Sequence, residues 1–268
     1  MQEPPLDPRK SVYEELHKGR LTEDKERSIY SARYILNRVQ EFFPVKSVLD
    51  IGCGIGTYLA AAQEMGMEIA GVEGPWLGLD GLDIDKSFIT ITDLEKPIDL
   101  DRKFDLAISL EVGEHLSDAA SPHLVKALVS HADYVVFSAA IPLQGGMHHI
   151  NEQFLSYWVQ KFNDAGFLPI DLLRGPVWQD TNVHVWLRQN MILFAKAELV
   201  RANEKLNAES LINRPLDIVN PQVFLDKVLE ARGQLANMQQ TLLQHGMASL
   251  RETPQGTIFE LRRPHGSS

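Results

Sequence analysis

Two short stretches hold side chains that could carry chemistry. In LEVGEHL (residues 110–116), Glu111, Glu114 and His115 are spaced i, i+3 and i+4. A helix starting near Glu111 would project all three from one face. Two carboxylates and an imidazole on one face make half of a divalent-metal site. The alternative needs no metal: the first acid and the backbone before it simply line a cofactor pocket. In HHINEQ (148–153), two histidines, an Asn, a Glu and a Gln follow a Gly-Gly turn. Histidine changes charge near neutral pH and is a common metal ligand. Such a turn can hold a metal, move a proton, or do no more than hydrogen-bond its own loop.

A third stretch, VLDIGCGIGTYL (48–59), sets Gly52, Gly54 and Gly56 between a strand-like and a helix-like segment. Glycines there permit a tight turn and let a ligand approach the backbone at a helix N-terminus. Two details argue against a nicotinamide dinucleotide. The spacing is G-x-G-x-G rather than G-x-G-x-x-G, and Asp50 just before it would repel a pyrophosphate. The same carboxylate suits the cationic amino acid end of S-adenosyl-L-methionine. Glu73 ends the next strand-like run, where an acid can accept hydrogen bonds from ribose hydroxyls, and Asp93 follows the third, within reach of an adenine amine. Gly74, Trp76, Leu94 and Leu110 complete the candidate cofactor pocket, with Trp76 near the adenine. The plainer alternative is structural glycines and a core tryptophan with no ligand.

From these residues onward the sequence resembles the class I S-adenosylmethionine-dependent methyltransferases, over roughly residues 28 to 197. GVEGPW, FDLAISLEVGEHL, FSAAIPLQGG, HHINEQFLSYW and VWLRQNMILFA together resemble a bacterial methyltransferase-domain family of unassigned substrate. The resemblance implies a Rossmann-like seven-stranded α/β sheet with helices on both faces and a reversed hairpin at one edge. It implies the cofactor and leaves the acceptor open.

The two chemical stretches are also similar to the metal-dependent O-methyltransferases of ubiquinone synthesis and of small-RNA 3′-end 2′-O-methylation. Those families pair an E-x-x-E-H helix start with a histidine after the fifth strand. By position, Glu111, Glu114 and His115 match the first part and His149, ahead of His148, the fourth ligand. The ion implied is Mg²⁺ or another divalent metal. The competing role for His149 is general base toward an acceptor hydroxyl, oriented by Asn151 or Glu152. Either way Glu111, His149 and Asn151 are the catalytic candidates, and the expected acceptor atom is an oxygen of a small molecule or sugar. Trp178, His184, Trp186 and Arg188 are candidates for the acceptor pocket, against core packing for each tryptophan.

These loops need a frame, and the chain supplies one. SVLDI, EIAGVE, FITITDL, FDLAISL and YVVFSAA read as five strands with helices between, implying a parallel sheet covered on both faces. FLSYWVQKFNDAG reads as a helix ending at Gly166, and FLPIDLLR with NMILFAK as a final strand pair. Ahead of them, helical spacing from Val12 to Phe43 ends at Pro44. The expected organisation is an N-terminal arm and helix (1–27), a methyltransferase domain (28–197) and a helical C-terminal extension with a disordered tail (198–268). In that extension Val223, Leu225, Val228, Leu229 and Leu235 would form a buried stripe, suited to a homodimer.

Composition excludes several classes. With 268 residues, 44% of them hydrophobic, the chain can bury a substantial core. A net charge of −10 argues against general nucleic-acid binding. No run approaches the roughly 18–20 apolar residues of a membrane span, and MQEPPLDPRK lacks a signal-peptide core. The single cysteine, Cys53, rules out an internal disulfide. A cytoplasmic protein is expected. Two rival classes remain: a catalytically inactive partner subunit with the same fold, disfavoured by the intact Asp50, glycine and Glu73 set, and an NAD-linked oxidoreductase, separable by cofactor binding.

Overall fold

Apolar residues at every position of a strand can be buried only if both faces of the sheet are covered. In β1 (Ser47–Ile51), Val48 joins one apolar cluster while Leu49 and Ile51 join another. The same alternation runs through β4 (Leu106–Leu110) and β5 (Tyr134–Ser138), where Val136 faces one layer and Val135 and Phe137 the other. This computed structural model describes residues 22–77, 81–212, 214–253 and 256–261. The Pro-rich arm expected at the start of the chain and the tail RRPHGSS lie outside them.

With β2 (Glu68–Glu73), β3 (Ile89–Ile91), β6 (Phe167–Ile170) and β7 (Ile192–Lys196), these strands form one seven-stranded sheet of order 3-2-1-4-5-7-6. β7 runs antiparallel to both of its neighbours, and the remaining pairings are parallel. The strand pair expected after Gly166 is therefore present, with β7 inserted between β5 and β6. Order reverses between β1 and β4, so the loops following β1, β2, β4 and β5 open at one edge of the sheet. That edge is where open α/β folds bind ligands.

Helix α1 (Thr22–Gln40) buries Ala32, Ile35, Leu36 and Val39 against the first layer, and α2 (Thr57–Glu64) adds Leu59 and Ala62. The opposite layer holds α3 (Ser121–His131) through Leu124 and Leu128, and α4 (Leu155–Asp164) through Trp158 and Phe162. Short helices α5 (Arg174–Val177) and α6 (Val185–Asn190) lie between β6 and β7.

The compact unit carrying the sheet runs to Asn220, beyond the boundary expected near residue 197. Helices α7 (Ala197–Ala202) and α8 (Glu204–Ala208) belong to it because Val200 and Leu206 are fully buried in its core. The second unit begins at Pro221. It contains α9 (Pro221–Gln244) and a hairpin of β8 (Ala248–Thr253) and β9 (Gly256–Leu261), where only helix and a disordered tail were expected. Val223 of the expected stripe is buried, whereas Leu225, Leu229 and Leu235 are exposed. No helix among the described residues is long and apolar enough to cross a membrane.

Candidate active site

The loop after β1 has the conformation its glycines permit. Gly52, Gly54 and Gly56 have φ of 84°, 54° and 86°, left-handed values that L side chains rarely adopt. A Cβ on Gly52 would strike Val112 at 2.3 Å and one on Gly56 would strike Ile84 at 2.7 Å, whereas one on Gly54 meets nothing within 4 Å. The loop is thus closed on two sides by packing and open over Gly54.

Asp50 and Glu73 are both buried beside this loop. Glu73 accepts the Gly54 N–H at 2.7 Å and the Gly74 N–H at 2.6 Å, so it ties the ends of β1 and β2 together. Burial pushes its carboxyl up, while the two backbone N–H groups and the Trp76 indole pull it down. Burial, then the charge of Glu73, raises Asp50 to about 8. Two desolvated acids side by side favour a cationic ligand. Trp76 packs against Gly74, where a Cβ would fall 2.0 Å from its ring, and it joins the same apolar cluster as Leu94. Asp93 caps its own turn, accepting the Glu95 N–H at 3.1 Å, and Leu110 is half-buried at the end of β4.

At the second loop the structure departs from expectation. No helix starts at Glu111: that residue has φ 56°, and only a single 3₁₀ turn, Gly113–His115, follows. The left-handed residue turns the Glu111 carboxyl away from a shared face. Gln144 donates to it at 3.0 Å and Asn190 at 3.3 Å, while its own N–H is held by Ser138. Enclosure raises this acid and those hydrogen bonds partly offset the effect. Of the four expected ligands, Glu114, His115 and His149 have potential ligand atoms within 4.8 Å of one another, and Glu111 stands outside that group.

Glu114 is fully buried, and neither of its carboxylate oxygens has a hydrogen-bond partner among the described residues. Its own N–H and that of Ala140 lie near enough to ease ionisation without bonding, and burial followed by Glu111 raises it well above the carboxylate range. His149 Nε2 stands 4.0 Å from Glu114 Oε1, and the His115 and His149 rings meet edge to face at 4.9 Å. Burial, then His149, lowers His115 to about 4, leaving that imidazole neutral at physiological pH.

HHINEQ reaches this cluster through specific contacts. The Glu114 carbonyl accepts the N–H groups of Ile150 and Asn151, at 2.9 and 3.1 Å. Glu152 accepts from the Leu143 and Gly145 N–H groups and pairs with His149 Nδ1 at 2.9 Å. His149 fits because Gly146 has no side chain; a Cβ there would fall 2.3 Å from the imidazole. Its neighbour His148 is exposed. The Asn151 amide donates to Ser121 and accepts from Gln153, a brace for the loop. Glu152 is therefore the residue that orients His149.

Of the acceptor-pocket candidates, His184 stacks on Trp186 at 4.5 Å, and Arg188 donates to the Trp178 carbonyl at 3.3 Å. Gln144 and Asn190 went unrecognised in the sequence. Neutral amides near strand ends give no spacing signal, and only the fold brings them to Glu111.

A family model described as a methyltransferase domain matches residues 25–175, more than half of the chain. The chain belongs to this methyltransferase family. Among solved structures it is similar to Streptomyces venezuelae DesVI, at TM-score 0.52 and 17% identity over 71% of this chain and 99% of that one. It is also similar to the sugar N-methyltransferase KedS8 from Streptoalloteichus sp ATCC 53650, at TM-score 0.53 and 15% identity over 73% and 97%. At such identities the likeness concerns the fold. No curated protein matches by sequence.

This methyltransferase has the class I fold, and S-adenosyl-L-methionine is the cofactor that family membership brings. The residues fit that group. The open approach over Gly54 and the two buried acids beside it suit a cationic ligand and would repel a pyrophosphate.

Proposed function

We propose that this methyltransferase transfers the methyl group to an oxygen of a small molecule or sugar, with the acceptor deprotonated at the Glu114–His115–His149 cluster. The observation that carries this reading is the Glu114 carboxylate, fully buried with two unpartnered oxygens beside two imidazoles. An isolated buried carboxylate is costly, so such a group pairs, binds a metal or takes up a proton. Glu114, His115 and His149 would hold a divalent cation, Mg²⁺ or another, with Glu152 fixing the His149 tautomer behind it. When bound, a cation lowers the pKa of an oxygen it touches. The chain's own part is to keep His115 neutral and His149 Nε2 turned inward, and to align donor with acceptor. Alignment matters because methyl transfer is an in-line displacement.

A second reading is supported by the 2.9 Å contact of His149 Nδ1 with Glu152, the geometry of an oriented base whose Nε2 removes the acceptor proton. KedS8, described as a sugar N-methyltransferase, makes an amine the competing acceptor. The test is elemental analysis of the purified protein together with labelled-methyl transfer to hydroxyl- and amine-bearing sugars and phenols. Loss of turnover on chelation, restored by Mg²⁺ or Mn²⁺ and absent in Glu114→Gln, is expected. Chelator-resistant turnover that falls about 100-fold or more in His149→Ala would assign the base role instead. Full activity in His149→Ala would remove both roles, and transfer only to amines would overturn the oxygen acceptor.

A further inference from the structure

Glu111 and Glu114 are three positions apart in sequence, yet the fold gives their carboxylates opposite surroundings. Both oxygens of Glu111 meet amide donors, Oε2 at 3.0 Å from Gln144 and Oε1 at 3.3 Å from Asn190. Neither amide can be reversed. Gln144 Oε1 already accepts the Asn190 amide nitrogen at 2.9 Å and the Ile141 N–H at 3.3 Å. The nitrogen of each amide is therefore the atom that faces Glu111. Donor hydrogens aimed at both oxygens hold an anion in place and leave a cation no room.

Glu114 lies within the 3₁₀ turn, fully buried, with no donor on either oxygen among the described residues. Beside it stand His115 and His149, and one ligand atom from each of the three residues lies within 4.8 Å of the other two. His149 presents Nε2 to this group, 4.0 Å from Glu114 Oε1, because its Nδ1 is taken by Glu152 at 2.9 Å. Ligand bonds of about 2.0–2.2 Å set neighbouring ligand atoms roughly 3–3.5 Å apart, so side-chain adjustments of about an ångström would close the set. The donor types then decide the ion. Mg²⁺ asks for oxygen ligands and sheds water reluctantly, and only one carboxylate remains for it. Imidazole nitrogens favour first-row transition ions.

We infer that the ion site is a three-ligand set of Glu114, His115 and His149, without Glu111, and that it takes a first-row transition ion such as Zn²⁺, Fe²⁺ or Mn²⁺ in preference to Mg²⁺. The inference rests on the cation reading above and narrows the ion named there. Three protein ligands leave part of the coordination sphere open, as in catalytic rather than structural sites. Glu111 keeps its amide partners whether or not an ion is present.

Ion binding is measured without turnover. Full-length protein stripped with a chelator is titrated with Co²⁺, whose visible absorption reports its ligands, and the bound Co²⁺ is then displaced with Zn²⁺, Mn²⁺ or Mg²⁺. Mg²⁺ is expected to need at least about a hundredfold higher concentration than Zn²⁺. Glu114→Gln and His149→Ala should each weaken Co²⁺ binding about a hundredfold or more. Glu111→Gln, which keeps the shape and removes the charge, should bind Co²⁺ within about twofold of the wild type. Should Glu114→Gln not fold, the contrast between His149→Ala and Glu111→Gln decides the ligand set. Displacement by Mg²⁺ and Zn²⁺ at similar concentrations, or loss of Co²⁺ in Glu111→Gln, would overturn the inference and leave the cation reading standing. A protein that binds none of these ions overturns both, and methyl transfer to oxygen is judged separately by turnover.

Discussion

Glu73 shows how far a single side chain can be read from sequence. Its place at the end of β2 was legible from EIAGVE, yet its bonds to the Gly54 and Gly74 N–H groups depend on two loops meeting in space. With Asp50 it forms a pair of buried acids, both raised by burial, and Asp50 reaches about 8. The direction fixes two outcomes. An acid raised on folding favours the folded state fully below its unfolded value of 3.8, and that contribution is lost as pH rises through about 8. The cofactor-free protein should therefore melt at progressively lower temperature between pH 5 and 8. A cation bound beside these acids favours their ionised forms, so S-adenosylmethionine binding near pH 7 should release protons. Isothermal titration in phosphate and in Tris should give heats that differ with the ionisation enthalpy of the buffer. Identical heats in both buffers would sink the proton coupling. Glu73→Ala, which leaves two backbone donors unpaired, should weaken cofactor binding at least about tenfold.

At the scale of elements, regular strands were legible and the irregular turn was not. SVLDI and EIAGVE correspond to β1 and β2 end to end, because apolar residues and flanking glycines fix both length and burial. The spacing of Glu111, Glu114 and His115 equally suggested a helix face, but Glu111 adopts φ 56° and only one 3₁₀ turn follows. Periodicity carries no information about a single left-handed residue held by Ser138, Gln144 and Asn190. The loop after β5 was marked by its Gly-Gly pair, and the reason is now physical: the His149 imidazole occupies the space a Gly146 side chain would fill. Gly146→Ala should expel His149 from the cluster and reduce turnover about as far as His149→Ala, roughly 100-fold or more. Because the loop is at the surface, the melting temperature should change little. A Gly146→Ala protein with normal turnover would show that His149 does not need this position.

At the scale of the whole chain, the seven-stranded sheet with a reversed hairpin at one edge was implied by the family resemblance and is present, while the limit of the compact unit was not foreseen. Residues 198–220 read as charged helical text, yet Val200, Leu206 and Leu211 are buried in the sheet-bearing unit. A few apolar residues in a polar segment leave too weak a pattern to place it. Each such side chain contributes about 1.5–3 kcal/mol on burial, so together they hold several kcal/mol of a total of roughly 5–15. The chain cut after Lys196 should therefore fail to fold or melt far below the full chain, whereas the chain cut after Asn220 should keep its fold and cofactor binding. The second unit makes its own prediction. In α9, Phe224, Val228, Ala231, Leu235, Met238 and Leu242 recur at alternating spacings of four and three, the repeat of a coiled-coil seam. Phe224, Leu235 and Met238 are at least half exposed in a single chain. These exposures remain with the β8–β9 hairpin in place. The full chain is expected to form a dimer through this seam, and the chain ending at Asn220 to be monomeric. Sedimentation equilibrium over a hundredfold concentration range decides the matter: a full-length chain that stays monomeric throughout, or a dimer that persists after the cut at Asn220, would exclude α9 as the contact.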